Sequence, residues 1–201
     1  AMAELAINSY FKSFFKNTDI KIGIGRAGNV IGGGDWSANR IVPDSIKAWY
    51  KNKNVNIRNP SSTRPWQFVL EPISGYFSIA QRLVNNEIKS GESYNFGPNS
   101  SDNFSVLQLL NEMKKYHKGA GFILDKSGSM IESNLLKLNC DKAMYQLEWK
   151  SSLDFKETIK MTMDWYKQFY EISKESMLEF SKDQINKYTK LASVRKLKWT
   201  K

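Results

Sequence analysis

The sequence is poor in the residues that most directly carry chemistry. It has one cysteine, Cys140, and one histidine, His117, in 201 residues. A single cysteine excludes an internal disulfide framework and any site built from several thiolates, and it suits a reducing cytoplasm. The lone histidine stands among charges in "MKKYHKGAG". It excludes paired-histidine metal ligation, leaves a Ser–His–Asp triad poorly supported, and reads as a solvent-facing residue. No metal site is expected. No apolar run approaches the roughly 20 residues that span a bilayer, and no signal peptide opens the chain. Internal repeats and low-complexity segments are absent too. Acid is in short supply: 20 Asp and Glu face 30 Lys and Arg, a formal net charge of +10. That surplus suits an anionic partner, whether phosphate, nucleic acid or an acidic surface. Yet the lysines are scattered through segments such as "KSSLDFKETIK", the pattern of a solvated face. No zinc, RNP-type or helix-turn-helix signature accompanies them, so nucleic acid is not the expected partner.

What is present is a core. The chain is 41% hydrophobic and 13% aromatic, enough for one domain or one and a half. "AMAELAINSYFKSFFKN" predicts an amphipathic helix through Met2, Leu5, Tyr10, Phe11 and Phe14, and no capping residue precedes it. A strand follows over Ile20–Ile24. "NRIVPDSIKAWYKN" predicts a helix with Pro43 in its first turn, where a missing N–H costs little. "VNIR" and "PWQFVL" read as strands. "EPISGYFSIAQRLVNN" reads as a helix with Ile73, Phe77, Ala80 and Val84 on one face. Ser105–Gln108 and Ser151–Asp154 have capping-box spacing, and Asp141 is placed to cap "KAMYQLEW". "SYNFGP", "FILD" and "LLKLN" complete the strands. Strands and helices alternate, so the class is α/β. The last stretch, "ASVRKLKWTK", has no acid and reads as an exposed basic end.

The most suggestive stretch is "IGIGRAGNVIGGGDW", where Gly23, Gly25 and Gly28 match G-x-G-x-x-G. A dinucleotide fingerprint needs a helix after the third glycine, so that the pyrophosphate meets a helix N-terminus. Here β-branched residues and three more glycines follow, and each glycine disfavours helix by about 1 kcal/mol. The match is a decoy for that fingerprint. A strand end carrying Arg26 and Asn29, followed by glycines, is still where open α/β sheets place ligands.

"RAGNVIGGGDW", "RIVPD", "IRNP", "RPWQFVLEPISGY", "YNFGP" and "LKLNCDKA…LEW" occur in that order. Together they resemble the C-terminal part of the CDP-glucose 4,6-dehydratases over roughly residues 1 to 170. These are extended short-chain dehydrogenases/reductases that act on nucleotide sugars. The resemblance implies an α/β fold made of the last Rossmann strands and helices plus a small substrate-binding α/β domain. Residues 1–35 would be a remnant of the NAD-binding domain, and 36–170 mainly the substrate domain. Residues 71–97 would return to the Rossmann sheet, and 171–201 would form a basic helical tail.

In that family bound NAD removes hydride from the sugar C4 as a tyrosine takes the hydroxyl proton, water leaves across C5–C6, and hydride returns to C6. The resemblance implies that the catalytic Tyr-x-x-x-Lys ends just before Ala1, so this chain would hold no catalytic residue and be inactive alone. It assigns Arg64 and Asn29 to the substrate diphosphate, and Val42, Pro43, Asn56 and Arg58 to cytosine and ribose. Ala27 and Gly28 would lie near the nicotinamide. A planar guanidinium suits two phosphate oxygens; without the motif, Arg64 would read as a surface arginine pairing with Glu71. Trp66 reads as core packing and Arg26 as structural. CDP-glucose is the implied ligand, with a homodimer or a complementing N-terminal half as protein partner. Two other readings stay open: another NAD-dependent nucleotide-sugar epimerase or dehydratase, and a basic anion- or nucleic-acid-binding module.

Overall fold

A computed structural model describes residues 2–99, 102–124 and 137–200. The chain opens with helix α1 (Met2–Tyr10), prolonged by a π turn over Phe11–Phe15. Strand β1 (Ile24–Ala27) follows, then β2 (Asn29–Ile31), with Gly28 between them. The expected strand over Ile20–Ile24 therefore begins four residues later, although the Ile22 carbonyl already accepts the Gly91 N–H at 2.7 Å. Helix α2 (Ile41–Trp49), strands β3 (Val55–Ile57), β4 (Thr63–Arg64) and β5 (Trp66–Phe68), and helix α3 (Leu70–Val84) come next. Then come β6 (Ser93–Phe96), β7 (Phe104–Ser105), α4 (Val106–Met113), β8 (Phe122–Leu124), α5 (Asp141–Gln146), α6 (Phe155–Lys167) and α7 (Met177–Val194).

Gly28 organises the sheets. Before it, β1 pairs in parallel with β6, Ala27 opposite Phe96; after it, β2 pairs in parallel with β5, Asn29 opposite Trp66. One extended stretch thus changes partner at a single residue. A side chain there would collide with the Pro65 ring and carbonyl, each 2.9 Å from the position a Cβ would take, so the crossing requires glycine. Gln67 ties the two sheets together: its Nε2 donates to the Phe96 carbonyl at 2.8 Å. β3 pairs in parallel with β8, and β4 antiparallel with β7.

The main core lies between α2, α4, α6 and the inner faces of β2, β3 and β5. Ile46, Trp49, Ile57, Leu109, Leu110, Met113, Ile159 and Tyr166 are all buried there. Each such side chain contributes about 1.5–3 kcal/mol by leaving water. A second cluster joins α3 and α5 to β6 through Ile79, Leu83, Tyr94, Phe96, Leu147 and Trp149.

The expected apolar stripe of α3 is real but faces outward. Phe77 is 72% exposed, and Ile73, Ala80 and Val84 are exposed with it. Ser74, Gly75, Ser78, Ile79 and Leu83 face inward instead. Small residues let the helix lie close to β1 and β6: Gly75 sits against the Phe96 ring. Helix α1 likewise buries none of its residues, and is attached by Arg26, which makes a two-pronged ion pair with Glu4 at 2.5 Å.

Three local expectations shift. Ser105 and Gln108 form a reciprocal capping box as expected. The cap of α6, however, is Asp154 with Glu157, not Ser151. Asp141 is the first residue of α5, and its N–H is received by Asn139 Oδ1 at 2.9 Å. The strand expected over "LLKLN" falls partly outside the described residues, and 137–139 are not a strand.

The basic C-terminal segment does not trail free. α7 docks through Tyr188, whose hydroxyl donates to Glu71 Oε2 at 2.9 Å, and Trp199 stacks on the Tyr188 ring. Arg195 donates to the Ser152 carbonyl and pairs with Glu157 at 2.6 Å. Glu71 is 1% exposed. Its carboxylate also accepts the N–H groups of Ser152 and Leu153, at 2.9 and 2.7 Å.

Candidate functional site: a cleft at the strand crossing

A cleft of about 940 Å³ opens beside the crossing. One wall is Gly28–Gly32 with Arg64 and Trp66; the other is the first turn of α2 together with Asn54–Asn59. Crevices at points where strand partnering switches are the usual ligand sites of α/β sheets. The two walls arise from different local rules. The Ile41–Asp44 turn starts a helix whose Pro43 sits where no N–H is required, and it buries Val42 and Pro43. β3 alternates, Val55 and Ile57 buried and Asn56 exposed, and all three border the cleft together with Arg58 just beyond the strand.

Of the residues singled out from the sequence, Gly28, Asn29, Val42, Pro43, Asn56, Arg58 and Arg64 all line this cleft. Ala27 does not; it lies in β1 opposite Phe96. Arg64 is 7% exposed and anchored by a 2.8 Å hydrogen bond from its guanidinium to the Thr63 carbonyl. It is not a surface arginine held by Glu71, whose oxygens are taken by Ser152, Leu153 and Tyr188. Trp66 is buried and donates to the Phe104 carbonyl at 3.0 Å. His117 is half-buried rather than solvent-facing: its ring meets Tyr50 edge-on at 4.5 Å, and its Nδ1 accepts the Gly119 N–H. Cys140 is a half-buried free thiol whose pKa burial pushes up, so it is a poor nucleophile.

Sequence reasoning did not single out Asp35, Arg40 or Asn54, which also line the cleft. Asp35 pairs with Arg40 at 3.2 Å. Burial would raise the Asp35 pKa, but hydrogen bonds from Ser37 and the Arg40 guanidinium outweigh it and hold the carboxyl below its ordinary value. Its carbonyl accepts the Tyr166 hydroxyl at 2.7 Å. Next to it, Trp36 is enclosed by Trp165, Tyr166, Phe169 and Tyr170. Trp165 lies against Gly33. A glycine-rich loop that would otherwise be loose is thereby fixed at the cleft mouth. The signal was the aromatic spacing of α6 and its extension, which reads as ordinary core until the loop is seen packed on it.

Two motif questions resolve on geometry. No helix follows Gly28, so the residues present do not form the pyrophosphate cradle of a dinucleotide and do not fit NAD by themselves. The Tyr-x-x-x-Lys spacing occurs once in the sequence, at Tyr170–Lys174. Tyr170 stacks on Tyr50 at 4.0 Å, Lys174 lies over the Phe169 ring, and neither lines the cleft. Among the described residues no group of His, Cys, Asp and Glu side chains could hold a metal ion. No helix among them is long and apolar enough to cross a membrane.

No family model matches the chain. Curated proteins do. CDP-glucose 4,6-dehydratase of Salmonella typhimurium is 41% identical over 192 residues, covering 92% of this chain and 53% of that protein. dTDP-glucose 4,6-dehydratase of Haemophilus influenzae is 27% identical, covering 64% of this chain and 40% of that protein. The chain thus spans about half the length of the curated relatives it matches. Among solved structures, the epimerase Mth375 of Methanothermobacter thermautotrophicus superposes with a TM-score of 0.72 at 22% identity, over 87% of this chain and half of that one. The Bacillus anthracis dTDP-glucose 4,6-dehydratase, solved in complex with NAD, gives 0.63 at 16% identity, over 86% of this chain and 52% of that one. These likenesses give the fold, a mixed α/β, partial Rossmann-like arrangement with parallel strands. The 41% identity over 92% of the chain supports a likeness to the C-terminal portion of the nucleotide-sugar 4,6-dehydratases.

Proposed function

We propose that the cleft holds a nucleotide sugar, CDP-glucose, for conversion to CDP-4-keto-6-deoxyglucose, and that this chain supplies the substrate-holding part of the enzyme. In this reading residues 1–35 and 71–97 belong to the dinucleotide-binding sheet, and 36–170 mainly to the substrate domain. The observation that carries it is the convergence of Asn29, Val42, Pro43, Asn56, Arg58 and Arg64 on one cleft from four separate elements. Arg64 grips the diphosphate. Its stem is buried and its fork anchored, so little rotamer freedom is left to lose on binding. The Asn29 amide donates to the same group, and Val42 and Pro43 present an apolar wall to the nucleoside. NAD supplies the redox chemistry in this family reading. The residues of this chain do not by themselves form the main dinucleotide loop, and the reading puts Ala27 and Gly28 at the nicotinamide end.

The test is calorimetric titration of the 201-residue chain with CDP-glucose, in competition with dTDP- and UDP-glucose. Binding is expected, with at least about tenfold loss on Arg64→Met, the order of magnitude for losing a charge-assisted bidentate contact. Arg64→Lys, a point charge, is expected to recover only part of it. Unchanged affinity in Arg64→Met would overturn the assignment. The chain alone is expected to form no keto-sugar and to do so with an added N-terminal half; product from the purified chain alone would refute that part.

A further inference from the structure

Among the described residues, none from α7 lines the cleft, yet α7 is keyed to the helix that holds the cleft mouth. Ser181, Gln184 and Tyr188 recur at i, i+3 and i+7, so they share one face of α7. Gln184 Nε2 donates to the Met161 carbonyl of α6 at 2.7 Å, and the Tyr188 hydroxyl donates to Glu71. Ser181 Oγ accepts the Trp165 indole N–H at 3.0 Å, and its own hydrogen goes to the Met177 carbonyl at 2.7 Å. The serine hydroxyl is thus fixed twice, as a donor into its own helix and as the acceptor for one indole.

Trp165 carries that constraint to the cleft. Its side-chain atoms lie 2.0 to 2.5 Å from the position a Cβ on Gly33 would take, so the bare glycine backbone rests directly on the indole. The next residue of α6, Tyr166, donates to the Asp35 carbonyl at 2.7 Å. α6 then runs on into a π turn over Gln168–Ile172, whose Phe169 and Tyr170 close on Trp36. Gly33, Asp35 and Trp36 belong to the loop that joins the two cleft walls, between the end of β2 at Ile31 and the start of α2 at Ile41. The Asp35–Arg40 ion pair at 3.2 Å spans most of that loop.

We propose that Trp165, seated by the Ser181 hydroxyl, is a positioning residue for the ligand site, because fixing the 32–40 loop sets the spacing between the cleft walls. The proposal rests on the nucleotide-sugar reading above. A ligand that must meet Asn29 and Arg64 on one wall and Val42 and Pro43 on the other depends on that spacing. A loosened loop leaves the gripping geometry as one of several, and apparent affinity falls with the fraction of molecules that hold it.

The experiment titrates the 201-residue chain with CDP-glucose and follows urea unfolding of the same variants. Ser181→Ala removes the acceptor of the indole N–H and is expected to weaken binding about fivefold, the scale of one hydrogen bond. Trp165→Phe keeps an aromatic ring against Gly33 without the N–H and should weaken it at least as much. The double variant should be no weaker than Trp165→Phe alone, since both changes act through one bond. Ser181→Thr, which keeps the hydroxyl, should restore most of the affinity. Thr189→Ala removes a hydroxyl that bonds the Ile185 carbonyl within α7 and should leave binding unchanged. A purely architectural bond would lower the urea midpoint and leave affinity alone. That result in Ser181→Ala and Trp165→Phe overturns the proposal, as does a double variant whose losses simply add. In both cases CDP-glucose still binds the wild-type chain, so the site reading survives. If the wild-type chain binds no CDP-glucose, the nucleotide-sugar reading falls and takes this proposal with it.

Discussion

At Glu71 a carboxylate sits where water does not reach, surrounded by two backbone N–H groups and the Tyr188 hydroxyl. Burial pushes its pKa up to about 7, against those donors and the nearby Arg195, which pull it down. A carboxyl whose folded pKa lies above its unfolded value keeps its proton in the folded state while the unfolded chain has released it. Its contribution is therefore fully present below about pH 4.5 and is lost as pH rises to about 7. The loss is on the order of 3 kcal/mol at most, at 1.36 kcal/mol per pKa unit. Glu4 and Glu157, held below the ordinary range mainly by Arg26 and Arg195, act the other way and at lower pH. The thermal midpoint is expected to fall between pH 5 and 7.5 in the wild-type chain and to stay flatter in Glu71→Gln. Equal slopes in the two proteins would show that Glu71 does not titrate there. None of this was legible in the sequence, where Glu71 read as a surface partner for Arg64. Arg64 itself was legible only through its neighbours in "RPWQFVLEP"; its type and position alone gave a surface residue.

Elements were read better than their ends. The α2 helix with its early proline, a strand inside each of VNIR, PWQFVL, SYNFGP and FILD, and the Ser105 capping box all follow from local chemistry, though PWQFVL stops at Phe68, where Leu70 begins a helix. The α6 cap did not follow. Ser151 and Asp154 both fit the capping pattern, and the choice between them depends on the turn at Ser152–Leu153, which Glu71 fixes from another part of the chain. Asp154→Ala is expected to cost about 1 kcal/mol, as the loss of a capping side chain does. Ser151→Ala should cost much less, since the Ser151 hydroxyl has no hydrogen-bond partner. Urea midpoints of the two variants separate the alternatives. Strand β2 escaped sequence reading for a different reason. Three residues flanked by glycines carry too little periodicity, and only the register with β5 makes them a strand.

For the whole molecule, periodicity showed that α3 is amphipathic but could not say which way its stripe faces. Serines and glycine gave the close packing on β1 and β6, and Ile73, Phe77, Ala80 and Val84 were left outside, as were Met2, Leu5, Tyr10 and Phe14 of the opening helix. Contiguous exposed apolar faces of this kind favour association. The purified chain is expected to bind a hydrophobic reporter dye and to self-associate at high concentration. Phe77→Ser should reduce both while changing the unfolding free energy by no more than about 0.5 kcal/mol, as at an exposed position. A large loss of stability instead would mean that Phe77 packs against something in this chain after all.

The enclosure of Trp36 gives the protein a built-in optical signal. Trp36 is 39% exposed, whereas Trp49, Trp66 and Trp149 are each buried, and it follows Asp35, which borders the cleft. Indole emission therefore reports on the cleft from two places, Trp66 in its wall and Trp36 beside its mouth. Nucleotide titrations of the unlabelled chain can be followed in a cuvette.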